Sequence, residues 1–422
     1  MIRRVTVEKL APTGEGIVRG AEGVGFVEGA LPGEQVEACV HEVRRRFWKG
    51  RTVSLLLASA ERRAGPHADC AACDWAHFDA EAARREKRRL FGETMERIGE
   101  LPAKLFGELP ILPSPPGYRL RARLHVTGRG GQTALGYYAP RTHRVEPAEK
   151  CEALPEAVRA LLPPLREAIA ESGADVSSVA MVGALDGTPR IARILTGDGT
   201  SEDRRGAHAL SSALAGLLEG VAVEGQHGEL LASRGERRLW LCVGGRQLPV
   251  TARTFFQSNR FLIEDLYRDV LREAAAVPPG QALDAFSGVG LFAGALLDAG
   301  HRVVSVEADG HAVEQALEAK KRWQAQAWQV MRSGVLPFVR SASQPFDLAV
   351  ADPPRAGLGL ELAGALADCV RSRIVYVSCE PATLARDLAV MVARGYRIVG
   401  TRLYDLFAFT HRVEAVVVLS RA

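Results

Sequence analysis

No stretch of this chain approaches the ~20 consecutive apolar residues that a bilayer crossing needs, so a membrane span is not expected. The opening residues, Met1 to Leu10, lack the apolar core of a secretory leader. Cysteine is scarce, odd in number and scattered: 7 in 422 residues. That excludes a disulfide framework and points to a reducing cytoplasm. A large net charge is also missing, since 54 basic and 50 acidic side chains leave only +4. No whole-molecule field therefore marks a nucleic-acid binder. Internal repeats and long low-complexity linkers are absent, and a monomer is the default expectation.

What is present is organised. The basic residues cluster in Arg44-Arg45-Arg46-Phe47-Trp48-Lys49-Gly50-Arg51 and Arg84-Arg85-Glu86-Lys87-Arg88-Arg89. Such runs either form a solvated face or neutralise phosphates. The length exceeds one ordinary core, so two or three domains are expected. Residues 1–58 alternate short strand candidates with Gly/Pro turns, the pattern of a small OB-like β-barrel. Cys39 falls among apolar strand residues and reads as a buried structural thiol. Residues 59–257 read as an α+β central domain with a helix near Asp79–Glu100, another over Pro155–Ser172, and strands at Arg121–Thr127 and Gln247–Arg253. From 258 to 422 helices alternate with strands at Ala282–Phe286, Arg302–Glu307, Phe346–Ala351, Arg373–Ser378 and Val413–Leu419. That alternation predicts a doubly wound, Rossmann-like α/β sheet.

The strand ending at Asp284 runs into Gly288-Val289-Gly290 and a helix, a loop built for close backbone approach to a ligand. The next strand ends about 20 residues on at Glu307, where a carboxylate can hold both ribose hydroxyls. These features fit a dinucleotide as well as S-adenosylmethionine. Asp352-Pro353-Pro354-Arg355 forms a stiff lip at another carboxyl strand end. The strand after it delivers Cys379 to the same edge, so Asp352 and Cys379 are predicted neighbours. Glu414 enters the last strand. Phe255-Phe256-Gln257-Ser258-Asn259 offers an amide beside aromatic surface. A thiol, a carboxylate base and groups that hold a pyrimidine edge are what methylation at pyrimidine carbon 5 requires. Thiolate addition at carbon 6 makes carbon 5 nucleophilic, and a base must then remove its proton. Singly, each residue has a bland reading: a buried thiol, a helix cap, a surface carboxylate.

Taken in order, these motifs resemble the RNA 5-methyluridine methyltransferase family along essentially the whole chain. Gly14-Glu15-Gly16-Ile17 and Gly29-Ala30-Leu31-Pro32-Gly33-Glu34 are similar to its RNA-binding TRAM domain, and Tyr118-Arg119 and Leu135-Gly136-Tyr137-Tyr138 to its central, RNA-contacting domain. The resemblance implies Cys379 as nucleophile, Glu414 as base and Asp352 as the residue that positions the pyrimidine. It implies S-adenosylmethionine as cofactor, held by Gln257, Phe256, Asp284, Gly288, Gly290, Glu307 and Asp352. RNA is the implied partner, most readily large-subunit ribosomal RNA. Transfer RNA, or a ribosome-assembly role without catalysis, are the alternatives.

The chain departs from the family in several places, among them Phe286-Ser287 before the glycine loop and Ser333-Gly334-Val335-Leu336, where the family's acidic residue after the third strand is not evident. Glu380 replaces the usual Asn after the nucleophile, a carboxylate expected to raise the thiol pKa unless it points away. Arg412 stands where the closing motif has His, with His411 before it. Many relatives hold a [4Fe-4S] cluster through four cysteines. Here Cys70, Cys73 and Cys151 match three of them and the first is missing, which leaves iron–sulfur, zinc and a metal-free remnant open.

Overall fold

The structure, a computed structural model, describes residues 1–20, 23–63, 72–197 and 201–421. Residues 2–57 form a six-stranded sheet around a small core of Val7, Val18, Val27, Val36, Ala38 and Trp48. Strict alternation along the strand Gln35–Val43 turns Val36 and Ala38 inward. The same period of two turns Cys39 outward, so that thiol is exposed rather than buried as its neighbours suggested. A buried ion pair closes the domain: Arg62 donates to both oxygens of Glu34 at 2.6 and 2.7 Å.

The central sheet has seven strands, ordered Val145–Pro147, Ala134–Tyr138, Arg121–Thr127, Ser178–Gly183, Pro189–Leu195, Gly220–Glu224 and Leu230–Gly235. The helices Glu156–Ser172 and Ser201–Ala213 contribute to the core on one of its faces. A hairpin of Arg238–Val243 and Arg246–Thr251 leads into the last domain.

There the sheet runs Trp328–Arg332, Arg302–Glu307, Gln281–Ala285, Phe346–Ala351, Val370–Ser378, Glu414–Arg421, Tyr396–Tyr404. The first five are parallel, and Glu414–Arg421 is inserted antiparallel between its neighbours. An eighth strand, Ile111–Leu112, joins the far edge beside Leu403 and Tyr404. The helix Ala80–Gly99 buries Phe91 and Met95 in the same core as Leu384 and Leu388 of the helix Pro381–Ala393. The segment 80–112 thus packs on the catalytic sheet although the sequence groups it with the central domain.

The second basic run lies on this helix and is neutralised locally. Arg84 pairs with Glu81, Arg85 with Glu61, and Arg89 with Glu86 and Glu93. Lys87 is buried in an ion pair with Asp405. Ion pairs of this kind leave less unneutralised charge on the helix than the run Arg84–Arg89 suggests by itself. Among the described residues no helix is long and apolar enough to cross a membrane.

Candidate active site

Gln281–Ala285 and Phe346–Ala351 are neighbours from which the chain winds in opposite directions. A ligand crevice opens at the carboxyl ends of strands at such a point. Asp284 lies in register with Val350 and Ala285 with Ala351, so Asp352 follows one step beyond. Its backbone N donates to the Ala285 carbonyl at 3.4 Å. Past Ala285 the chain turns sharply, with Phe286, Gly288 and Gly290 at φ of 61°, 54° and 95°. A Cβ on Gly290 would sit 2.5 Å from the Trp328 ring, so both backbone and space require glycine there. Glu307 is fixed by two backbone donors: Gly288 N to Oε2 at 2.9 Å and Asp309 N to Oε1 at 2.7 Å. Each oxygen keeps a further lone pair for a ligand hydroxyl.

Asp284 is buried, and one of its oxygens accepts from Ser305 Oγ at 3.2 Å. Its Oδ1 and the nearby Ser287 Oγ have no protein partner. Buried polar atoms without partners are rare. Here they stand at the carboxyl end of the strand Gln281–Ala285 and in the turn after it, next to the Gly288–Glu307 contact, where they leave polar atoms for an adenosyl amino acid such as S-adenosylmethionine. Burial pushes Asp284 up to about 7 from the ordinary 3.8, the Ser305 bond opposing and the Asp352 charge adding. The folded chain therefore keeps a proton that the unfolded chain releases above about pH 4, and stability falls as pH rises from there to about 7. Asp284→Asn should be more stable than the parent at about pH 8, by up to a few kcal/mol. The gap should close near pH 4 while S-adenosylmethionine binding weakens. Thermal melts across pH would refute this if the two profiles ran parallel.

The second half of the site stands one strand over. Ala351 is in register with Tyr376 and Ser378 with Ala415, so Cys379 and Glu414 lie side by side with Asp352 on the adjoining strand end. Gln257 Nε2 donates to Asp352 Oδ2 at 2.9 Å, tying the Phe255–Asn259 segment to the site. Phe256 is buried beside it. Burial pushes the Cys379 thiol up to about 11, with the Glu414 and Asp352 charges adding and Arg355 opposing. Burial lifts Asp352 to about 7 against the Gln257 bond. Burial and the Asp352 charge together hold Glu414 well above the usual carboxylate range. Three acids crowded into one apolar edge cannot all ionise near neutrality, so they share protons.

The loop that brings Glu414 in is fastened by residues from every domain. Asp405 is held by Lys87, and Asn259 Nδ2 donates to the Leu406 carbonyl at 2.9 Å. Tyr118 Oη donates to Ala408 O at 3.0 Å, and Trp75 N to Phe409 O at 2.9 Å. His411 pairs with Asp74, and Trp75 Nε1 reaches Gly14 O at 2.9 Å. Pro12 and Thr13 of the N-terminal domain line a small cleft beside Cys379. Neither Tyr118 nor Asn259 could be given this bracing role from sequence, because both act on backbone carbonyls distant in the chain.

Glu380 occupies the N-cap of the helix Pro381–Ala393 and makes no side-chain cap bond, where the family's Asn would cap well. The acidic groups that raise the thiol most are Glu414 and Asp352, which displaces the effect expected of Glu380. Arg355, quoted only as part of its motif, is the cation that opposes them. Of the suspected metal ligands, Cys70 lies outside the described residues. Cys73 and Cys151 are buried in the central core. Among the described residues no three His, Cys, Asp or Glu side chains gather around a metal position. The described residues alone do not assemble the four-thiolate set of an iron–sulfur cluster.

Residues 251–422 match the family model for tRNA (uracil-5-)-methyltransferase, and residues 2–53 match the TRAM domain. An uncharacterized RNA methyltransferase of Gloeobacter violaceus is 31% identical, the match covering 99% of this chain and 96% of that protein. A 23S rRNA (uracil(1939)-C(5))-methyltransferase of Halomonas elongata is 31% identical over 99% of this chain and 89% of its own length. Among solved structures, the Pyrococcus abyssi tRNA (uracil-54, C5)-methyltransferase in complex with S-adenosyl-L-homocysteine superposes with a TM-score of 0.77. At 21% identity it covers 99% of this chain and 100% of that one, and supports the fold. With full-length relatives above 30% identity and both terminal domains matched, the chain belongs to the RNA uracil-5 methyltransferase family.

Proposed function

We propose that this protein methylates carbon 5 of a uridine in RNA, with S-adenosylmethionine as methyl donor and large-subunit ribosomal RNA as substrate. The observation that carries the chemistry is the convergence of Cys379, Glu414 and Asp352 on one buried strand-end edge, one strand from the Asp284–Gly290–Glu307 crevice. In this reading Glu307 holds the ribose of the cofactor, the glycine loop takes its close approach, and Phe256 and Gln257 close the crevice toward the base. Bound there, S-adenosylmethionine supplies an electrophilic methyl group. The Cys379 thiolate adds to carbon 6 of a uridine flipped out of its stack, making carbon 5 nucleophilic. Asp352, oriented by Gln257, faces the polar edge of the pyrimidine and in its protonated form donates to it. Once carbon 5 carries the methyl group, Glu414 takes its proton and the electron pair expels the thiolate.

Ribosomal RNA is favoured by the Halomonas relative and by a second 23S rRNA enzyme of Chromohalobacter salexigens, 32% identical over 99% of this chain. The N-terminal domain reaching the cleft beside Cys379 also favours a large folded substrate. Purified protein with labelled S-adenosylmethionine should label 23S rRNA that lacks 5-methyluridine and leave transfer RNA from the same cells unlabelled. Label in transfer RNA alone would reverse the substrate, and label in neither would refute the reading.

A further inference from the structure

The loop after Asp352, Pro353-Pro354-Arg355-Ala356-Gly357-Leu358, carries Arg355, the cation that opposes the acids around Cys379. Two prolines stiffen its start, and side chains must hold the rest. They come from the helix Pro381–Ala393, which begins two residues after the nucleophile. Thr383 Oγ1 donates to the Arg355 carbonyl at 3.1 Å, and Arg386 Nη2 to the Ala356 carbonyl at 3.0 Å. Asp387 accepts from the Leu358 backbone N at 2.7 Å. Positions 383, 386 and 387 share one helix face, so a single rigid element grips both carbonyls and the amide. At Gly357, φ is 70° and a Cβ would come within 2.6 Å of Asp387 Oδ2 and 2.9 Å of Thr383 Cβ. The loop is thus pressed against two of the side chains that bond it.

Asp387 is wholly buried, and the chemistry proposed above makes no use of it. Its Oδ2 also accepts from Tyr376 Oη at 2.8 Å, and its Oδ1 pairs with Arg386 at 2.8 Å. Tyr376 is buried on the strand that delivers Cys379, three residues before it. Burial and the Asp387 charge push the Tyr376 hydroxyl up, so it remains a donor. Nucleophile strand, following helix and cation-bearing loop therefore meet at one carboxyl group. For stability alone, apolar packing would serve as well as a buried ion pair. What the carboxyl group adds is direction, since each donor can reach it from one place only.

We propose that Asp387 is a positioning residue which, with Thr383, fixes the loop to the helix behind Cys379 and so sets the approach of the Arg355 guanidinium to the thiol. This rests on the reading of Cys379 as nucleophile and names what holds its cation in place.

The test is the rate at which iodoacetamide alkylates Cys379 in the full-length protein at about pH 8, without RNA or cofactor. Mass spectrometry of the Cys379 peptide separates it from the other cysteines, and the exposed Cys242 should react at the parent rate throughout. Arg355→Gln should slow Cys379 about tenfold, the equivalent of one pKa unit. Asp387→Asn and Thr383→Val leave the cation in place but loosen its loop, and each should slow the reaction about threefold. Thr383→Ser keeps the hydroxyl and should react as the parent does. Because both positions act through Arg355, neither variant should slow the reaction further in the Arg355→Gln background. Parent-like rates in Asp387→Asn and Thr383→Val would overturn the inference. So would an equal change in both backgrounds, the mark of altered access to the thiol rather than of a displaced cation. Should Asp387→Asn melt too low to assay, Thr383→Val, at a half-buried position, carries the test alone. Label transfer to ribosomal RNA by the parent protein separates the two proposals. If the parent transfers no methyl group, the failure lies with the function. If it does while the variants alkylate at the parent rate, the failure lies with Asp387.

Discussion

Cys379→Ala is expected to abolish methyl transfer, by about 10⁴-fold or more, and to remove the covalent adduct that the parent forms with RNA containing 5-fluorouridine. Fluorine at carbon 5 cannot leave as a proton does, so the parent should stall with its sulfur bonded to carbon 6. Affinity for S-adenosylmethionine should persist, because the glycine loop and Glu307 follow strands two and three places away from Val370–Ser378. The thiol is pushed up to about 11 by burial and by Glu414 and Asp352, so the free enzyme holds it almost wholly protonated at pH 7. The sign follows directly. Alkylation of Cys379 by iodoacetamide should rise about tenfold per pH unit between about 7 and 9, with no plateau in that range. Removing the Glu414 charge by Glu414→Gln should displace the profile toward lower pH, since a negative neighbour disfavours the thiolate. A plateau near neutral pH would mean a thiol already ionised, contrary to its surroundings. A Cys379→Ala protein that still transferred methyl groups would remove the nucleophile from the account.

Much of this arrangement was legible before the structure, and the reason is strand-end geometry. Runs such as Phe346–Ala351 and Arg302–Glu307 are short and largely apolar, and in a parallel sheet each delivers its end to one edge. Asp284, Glu307, Asp352 and Cys379 could therefore be placed together from their positions at strand ends. Two strands of the last domain that the sequence pattern does not reveal, Trp328–Arg332 and Tyr396–Tyr404, carry polar and charged residues at alternate or irregular positions. One is the sheet's edge and the other is second from it, so each has a face that burial does not enforce. Partner-dependent facts were the least visible. The sequence shows a basic run at 84–89, but whether a cation is free depends on carboxylates such as Glu61 and Asp405, which the fold alone brings near. Cys39 failed for a simpler reason: in a strand with one wet face, apolar neighbours on both sides imply exposure. Glu380 looked like the closest charge on the nucleophile because it follows it in sequence. In the fold the antiparallel insertion of Glu414–Arg421 brings a buried carboxyl beside the thiol, and after burial itself that group raises the thiol most.

Glu414→Gln should separate the two halves of the reaction. Addition of the thiolate and methylation of carbon 5 do not require the carboxylate, whereas removal of the carbon 5 proton does. The variant is thus expected to accumulate a denaturation-resistant adduct carrying the new methyl group, with ordinary uridine RNA and without fluorine. Turnover should fall about 10²- to 10⁴-fold, the usual contribution of a positioned base. Glutamine keeps the shape of the buried side chain while giving up basicity, so the register of Ser378 against Ala415 should survive. A carboxyl held well above its ordinary range by burial and by Asp352 is a stronger base than a solvated one, and is therefore better matched to a carbon acid at neutral pH. The measurement is gel mobility of protein after incubation with labelled S-adenosylmethionine and RNA, where the label marks a step already completed. Product released at the parent rate would show that the proton leaves through another group, and an adduct with no methyl label would show a stall before methyl transfer. Asp352 is the next candidate, since it shares the same edge and also holds its proton up to about pH 7. In that event the same gel with Asp352→Asn should show the methylated adduct that Glu414→Gln lacked.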